Sequence, residues 1–296
     1  MNAYLTIIIP YYKKINSLEQ LLCSIPQKES IEVIVVNDDD NIDTQFFNLL
    51  RCFPKVKFFE QLPGKRWAGS ARNLGLSKAK ADFVLFADTD DYFIDGFFDI
   101  LLSYFDKKFD MVFFRPASSL EGGGYSSRHL SYSMLIDDYF NKKNEEILYK
   151  FHVPWSKLYR REYLVNQDIF FDEIVASNDV NFSLKASYFA RDNYAVDKRS
   201  IYCVVESSSS LTKAKTIENA KSRFFALCRY NDFLMSNNDN NLAAMIGRLL
   251  PFLKVDFKFF IKNLILCKSK GYPIFYSRRN IIRALKLYFF KKSSQN

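Results

Sequence analysis

Short β-branched and aromatic runs alternate with segments of helical spacing over the first 115 residues. Thr6-Ile7-Ile8-Ile9 is a β-branched run closed by Pro10, and Leu18 to Ile25 carries apolar residues at helical intervals. Ile31-Glu32-Val33-Ile34-Val35-Val36 predicts a second strand, ended by the turn-forming run Asn37-Asp38-Asp39-Asp40. Phe46 to Phe53 reads as a helix, Val56 to Phe59 as a short strand and Gly69 to Ala81 as a helix. Phe83-Val84-Leu85-Phe86 then reads as a buried strand, Phe97 to Phe105 as a helix and Met111 to Phe114 as another strand. Strands separated by helices of about ten residues predict an α/β fold with a parallel sheet and right-handed crossovers.

The alternation breaks at Gly122-Gly123-Gly124, whose Ser-rich flanks extend the predicted loop over 118–127. From Ile147 to Thr212 the pattern is mixed, and Ser207 to Ser210 forms a second polar loop. Beyond Ile217 no strand is expected. Ala220 to Met235, Leu242 to Leu266 and Arg279 to Phe290 read as helices, with Pro251 and Pro273 as punctuation.

Composition narrows the class. A chain of 296 residues is long for one core, and a hydrophobic content of 48% excludes wholesale disorder. The net charge of +9 calls for an anionic partner: nucleic acid, a phospholipid surface or a phosphorylated substrate. Five scattered cysteines without a CxxC pair, and two histidines (His129 and His152), predict reduced thiols and no zinc site. No signal peptide is expected at the first apolar run. The best candidate for a membrane span, Phe257 to Cys267, is interrupted by Lys258 and Lys262 and is too short.

In a parallel sheet three polar strand ends converge on one edge: Pro10-Tyr11-Tyr12-Lys13-Lys14, Asn37-Asp38-Asp39-Asp40 and Asp88-Thr89-Asp90-Asp91. The last places three carboxylates within four positions, which repel one another unless a cation neutralises them. Their oxygens suit Mg²⁺ or Mn²⁺. Together the three ends suit a nucleotide, with a ring for the base, a carboxylate for a base N–H and a cation under a diphosphate. The alternative is a solvated acidic turn at Asp88 and a turn with a helix cap at Asp38. Gly64 to Gly75 enters a helix through small residues, with Arg72 in its first turns, and offers a phosphate site; otherwise Gly69 and Gly75 serve packing alone.

At these residues the chain resembles the family-2 glycosyltransferases of the GT-A fold. Thr6-Ile7-Ile8-Ile9-Pro10-Tyr11-Tyr12 is similar to their opening strand, and Ile34-Val35-Val36-Asn37-Asp38 to their second, whose final Asp contacts uracil. Ala71-Arg72-Asn73-Leu74-Gly75 followed by Phe83 to Asp91 resembles their Ala-Arg-Asn-x-Gly helix running into a DxD motif. Trp155-Ser156-Lys157-Leu158-Tyr159 resembles a Trp-x-Lys-Leu-Tyr segment of bacterial members. Phe171-Asp172-Glu173 with Asn178-Asp179-Val180-Asn181-Phe182 resembles the element that carries their catalytic base. The blocks occur in order over roughly residues 4 to 212.

The resemblance implies a mostly parallel sheet with helices on both faces. The catalytic domain would span 1–215, with a nucleotide-binding half at 1–115 and an acceptor-binding half at 116–215, followed by a helical extension over 216–296. It implies inverting transfer from a nucleotide sugar, most simply a UDP-sugar, to a saccharide or lipid-linked saccharide hydroxyl. Asp90, helped by Asp88, would hold Mn²⁺ or Mg²⁺, and Asp179 would be the general base. Pro10, Tyr11, Lys14, Asp38, Arg72, Asp88, Thr89 and Asp90 form the expected donor site. Asp91 and Trp155 are candidates for sugar or acceptor contact, and a core aromatic is the equal alternative for Trp155. Three departures stand out: Asn37-Asp38-Asp39-Asp40-Asn41 replaces the usual Asp-Asp-Gly-Ser-x-Asp turn, Asn178 replaces a Glu, and no His follows Asp179.

Two other classes compete. Nucleotidyl transfer needs a Gly-rich basic loop after the first strand, and Pro10 to Lys14 lacks glycine. A nucleic-acid-binding protein would use the positive charge, but much of that charge alternates with Phe, Leu and Ile in the C-terminal third. Such helices fit an anionic membrane surface better than base stacking; the other readings are packing helices with a solvated basic face or an oligomer interface. The expected setting is a bacterial cytoplasm, at the inner face of the membrane, in surface-polysaccharide or lipopolysaccharide synthesis.

Overall fold

The computed structural model describes residues 4–39, 44–207 and 216–276, together with Ile281. Its centre is an eight-stranded sheet. The strands are β1 (Leu5–Tyr11), β2 (Ile31–Asn37), β3 (Val56–Glu60), β4 (Phe83–Phe86), β5 (Tyr92–Phe93), β6 (Met111–Leu120), β7 (Lys157–Arg160) and β8 (Tyr194–Glu206). They are ordered β3-β2-β1-β4-β7-β6-β8-β5. The first four run parallel. Every residue of β1, β2 and β4 is buried, as expected where both faces of a parallel sheet are covered. Helices α1 (Ile15–Cys23), α2 (Thr44–Cys52) and α3 (Trp67–Lys78) supply the crossovers.

The second half departs from the parallel expectation. Met111 opens β6, which is not the next neighbour of β4, because β7 inserts between them antiparallel to both. β8 pairs parallel to β6, and β5 antiparallel to β8. The expected loop over 118–127 is also shorter. Ser118, Ser119 and Leu120 stay in β6, paired with Val204, Val205 and Glu206, and the turn proper is Gly122 to Gly124. All three glycines have positive φ, which a Cβ would resist. β6 changes register against β8 on either side of Arg115, between Phe114 and Ala117.

Between the strands lie α4 (Phe97–Phe105), α5 (Leu130–Lys142), α6 (Glu146–Lys150), α7 (Arg161–Asn166) and α8 (Val180–Phe189). The extension holds α9 (Ile217–Ser236), α10 (Ile246–Leu249), α11 (Phe252–Val255) and α12 (Phe257–Ser269). The single helix expected over Leu242 to Leu266 is thus split. Pro251 has no N–H to continue α10, and Asp256 restarts the chain by accepting from the Phe259 N–H at 3.0 Å.

One large core gathers both halves of the sheet, and a second cluster (Phe224, Met245, Leu249, Phe252, Cys267) lies within the extension. Leu184 and Tyr188 of α8 meet Tyr230 and Leu234 of α9 and join the two. All five cysteines are free. Among the described residues no helix is long and apolar enough to cross a membrane. Asp40, Asn41, the Ser208–Ser210 loop, the expected boundary near 215 and the helix expected from Arg279 to Phe290 lie outside the described residues.

Candidate functional site

The register of the parallel strands brings the expected polar ends to one edge. Tyr11 pairs with Asn37, and Ile8 with Phe86, so the chain leaves β1, β2 and β4 on the same side. Here Asp38 acts as a clasp. Its N–H donates to the Tyr11 carbonyl at 2.8 Å. Its Oδ1 accepts from the Trp67 N–H at 2.9 Å, at the start of α3, and from Gln61 Nε2 at 2.5 Å. Asn37 and Asp39 close an Asx turn beside it. Pro10, Tyr11 and Thr89 form the buried floor: the Tyr11 ring packs on Phe46 with centroids 4.7 Å apart, and Thr89 Oγ1 donates to the Pro10 carbonyl at 2.5 Å.

The carboxylates after β4 are each neutralised or satisfied by a different partner. Asp88 is paired with the Arg72 guanidinium, and Asp90 Oδ2 with Lys14 Nζ at 2.7 Å. Arg72 is buried, lies over the Phe171 ring and donates its other terminal nitrogen to Asn178 Oδ1 at 2.9 Å. The asparagine at the position of the usual Glu thus binds this arginine. Asp91 turns inward. Its oxygens accept from Tyr202 Oη at 2.9 Å and the Val205 N–H at 2.8 Å, and Tyr202 Oη also accepts from the Asp88 N–H at 2.8 Å. Burial, with Asp88 and Asp90 adding to it, pushes the Asp91 carboxyl well above the usual range. Through these bonds Asp91, the candidate for a sugar, metal or water contact, ties the end of β4 to β8. Trp155 lies in the core, the equal alternative for it. It is 3% exposed, stacked on Tyr202 and at a steep angle to Tyr132.

Asp179 precedes α8, next to the Asn178 that Arg72 holds. Burial pushes its carboxyl up to about 6; Arg72 opposes the shift, Asp88 adds to it and Lys157 opposes it. Those couplings mark Asp179, Asp88, Arg72 and Lys157 as one electrostatic group. Lys157 is fully buried, donates to the Phe151 carbonyl at 2.6 Å and lies against the Phe113 and Phe151 rings. Burial holds its ammonium well below the ordinary lysine range, with Asp179 opposing. Lys157 and Tyr202 are absent from the expected site. A lysine in the Trp155-Ser156-Lys157-Leu158-Tyr159 segment was the available signal for the first; nothing local marks the second.

Two glycines bring α3 close to its neighbours. A Cβ on Gly69 would stand 2.2 Å from the Asp172 carbonyl, and one on Gly75 would stand 2.4 Å from Ile8 Cγ2. Gly69 thereby lets the segment before Asp179 reach Arg72. A cleft of about 730 Å³ opens beside Asp90, walled by Lys13, Lys14, Ser17, Tyr92, Ser119 and the Gly122–Gly124 turn. A second groove, about 420 Å³, lies between Trp67, Ile174, Val175 and Phe225. Among the described residues no three His, Cys, Asp or Glu side chains converge on a metal position. Asp88 and Asp90 remain about a third exposed and offer hard oxygens, so they fit a divalent ion whose other ligands come from substrate and water.

Comparison with known proteins identifies the family and the fold. A sequence model described as "Glycosyl transferase family 2" matches residues 6–166. The chain is 26% identical over 167 residues to a Campylobacter jejuni GalNAc(5)-diNAcBac-PP-undecaprenol beta-1,3-glucosyltransferase, covering 55% of this chain and 53% of that one. It is 25% identical over 272 residues to the Staphylococcus aureus poly(ribitol-phosphate) beta-N-acetylglucosaminyltransferase TarS, covering 90% of this chain and 46% of TarS. The chain thus spans about half the length of the curated relatives it matches. The crystal structure of TarS residues 1–349 with UDP-GlcNAc superposes with a TM-score of 0.61 at 21% identity, covering 86% and 73% of the two chains. The mannosyltransferase PcManGT from Pyrobaculum calidifontis, solved with GDP-Man and Mn²⁺, superposes with a TM-score of 0.50 at 14% identity, over 100% and 81%. Both likenesses establish the GT-A-like fold.

Proposed function

Since the chain belongs to glycosyl transferase family 2, we propose that it moves a sugar from a UDP-sugar to a hydroxyl of a saccharide or lipid-linked saccharide, with inversion. The observation that carries this reading is the span of Arg72, which bonds Asp88 on one side and Asn178, neighbour of Asp179, on the other. One guanidinium separates the donor-side carboxylate from the candidate base. UDP-GlcNAc is the first donor to test, because TarS has been crystallised with it. The C. jejuni relative, named for an undecaprenol-linked glycan, supports a lipid-linked acceptor.

In this reading Asp179 accepts the proton of the attacking hydroxyl. Its raised carboxyl suits a base that must take up a proton near neutrality. Arg72 and Lys157 favour its ionised form. Lys14 and Arg72 lie where diphosphate oxygens would be met. Asp90 and Asp88 would hold Mn²⁺ or Mg²⁺, which when bound supplies positive charge to the departing nucleoside diphosphate. The Asp38 clasp sets the spacing between the β2 end and α3, the expected uracil side. The nucleotidyl-transfer and nucleic-acid-binding alternatives find no counterpart in the family match.

The test is calorimetric titration of UDP with and without Mn²⁺. Wild type should bind UDP more tightly with the metal, and Asp90→Asn should lose that dependence while keeping its fold. Unchanged Mn²⁺-dependent binding in Asp90→Asn would refute the donor-site assignment.

A further inference from the structure

α12 packs through one face. Asn263 and Cys267 are buried, and Phe259, Phe260 and Leu264 lie against the Phe224–Met245–Phe252 cluster. The Phe259 ring stands 4.3 Å from that of Phe252 and 5.6 Å from that of Phe224. At about 100° per residue the opposite face carries Phe257, Ile261 and Ile265 in one row, beside Lys258, Lys262 and Lys268. An ordinary surface helix turns polar residues outward; this one turns out an apolar row and lysines.

The row continues into the turns before it. Leu250, Leu253, Val255, Phe257, Ile261 and Ile265 are all exposed, from 39% at Ile261 to 62% at Val255 and Ile265. Isolated exposed apolar residues are normal, but six within a 16-residue stretch form a patch. Apart from Asp256 its charge has one sign: Lys254, Lys258, Lys262 and Lys268 are exposed along it. Asp256 itself is engaged by the Phe259 N–H and by Lys221.

We infer that α10 to α12 form a docking surface for an anionic lipid bilayer. The aliphatic row meets the boundary between headgroups and acyl chains, and the lysines reach anionic headgroups while their stems cover apolar surface. A second copy of this chain would bring like charges together on the same face. Nucleic acid would leave the aliphatic row without a partner, since single strands are held by aromatic stacking and duplexes by polar contacts. The inference rests on the exposed face alone and is independent of the donor chemistry.

The test is co-sedimentation of the full chain with vesicles of phosphatidylcholine, alone or with phosphatidylglycerol. Binding should require phosphatidylglycerol at low salt and fall at least tenfold in about 0.5 M NaCl, where the Debye length is only a few ångströms. Ile261→Ser with Ile265→Ser, and separately Lys258→Gln with Lys262→Gln, should each weaken partitioning about tenfold, with thermal unfolding unchanged because all four positions are exposed. No binding at low salt, equal binding to neutral vesicles, or unaltered partitioning of both double variants overturns the inference. So does light scattering that finds a dimer through this face with no vesicle binding.

Discussion

Lys14 places its ammonium 2.7 Å from Oδ2 of Asp90, where a divalent ion is proposed to sit. Both side chains are about a third exposed, and partly exposed pairs of this kind are worth at most about 1 kcal/mol. The lysine would therefore give way to a divalent ion at little cost and be left to meet a diphosphate. Lys14→Met should raise the affinity of the free protein for Mn²⁺, by no more than about fivefold on that energy, and should weaken UDP binding. Calorimetry with Mn²⁺ alone and then with UDP reads both. If Lys14→Met binds Mn²⁺ more weakly, the lysine does not compete for Asp90.

The raised carboxyl of Asp179 sets a pH dependence. A base held at about 6 is ionised above that pH, so kcat/KM should fall as pH drops through about 6. For stability the sign is opposite. A carboxyl whose folded value lies above its unfolded one contributes stability below the ordinary Asp range, and that contribution is lost as pH rises through about 6. Asp179→Asn should therefore gain stability relative to wild type as pH rises from 4 towards 8, measured by urea unfolding. A difference independent of pH would place the Asp179 carboxyl in the ordinary range.

Tyr202 holds Asp91 and the Asp88 N–H together inside the protein. Tyr202→Phe removes one buried hydroxyl, leaves a carboxylate oxygen and an N–H short of a partner, and should cost about 1–3 kcal/mol in urea unfolding. It should also weaken UDP binding, because Asp88 and Asp90 flank the tie. Stability within about 0.5 kcal/mol of wild type would show that other groups satisfy both atoms.

The parallel half of the sheet was legible in the sequence because strand and helix periods alternate cleanly from Thr6 to Phe86. The three polar strand ends followed directly from it. The insertion of β7 between β4 and β6 was not legible, since Lys157 to Arg160 is four residues long and its pairing is entirely non-local. At the site, residue types were readable and their directions were not. Asp88, Asp90 and Asp91 look alike as a run, yet the first two face cations and the third faces β8. Trp155 offered an aromatic ring to a sugar, and only packing shows it buried among Tyr202, Tyr132 and Phe151. Arg72 was visible as a phosphate candidate, but its bond to Asn178 joins segments 106 residues apart.

Asp179 is proposed as the base beside a donor site built on Asp88 and Asp90. The most direct measurement is the turnover of Asp179→Asn at saturating concentrations of a UDP-sugar and acceptor that wild type converts, with UDP affinity measured in parallel. The prediction is a turnover lower by roughly 10²- to 10⁴-fold with UDP affinity nearly unchanged, the range expected for loss of a positioned base. Turnover close to wild type, with UDP still bound, would contradict it and move the base to another residue.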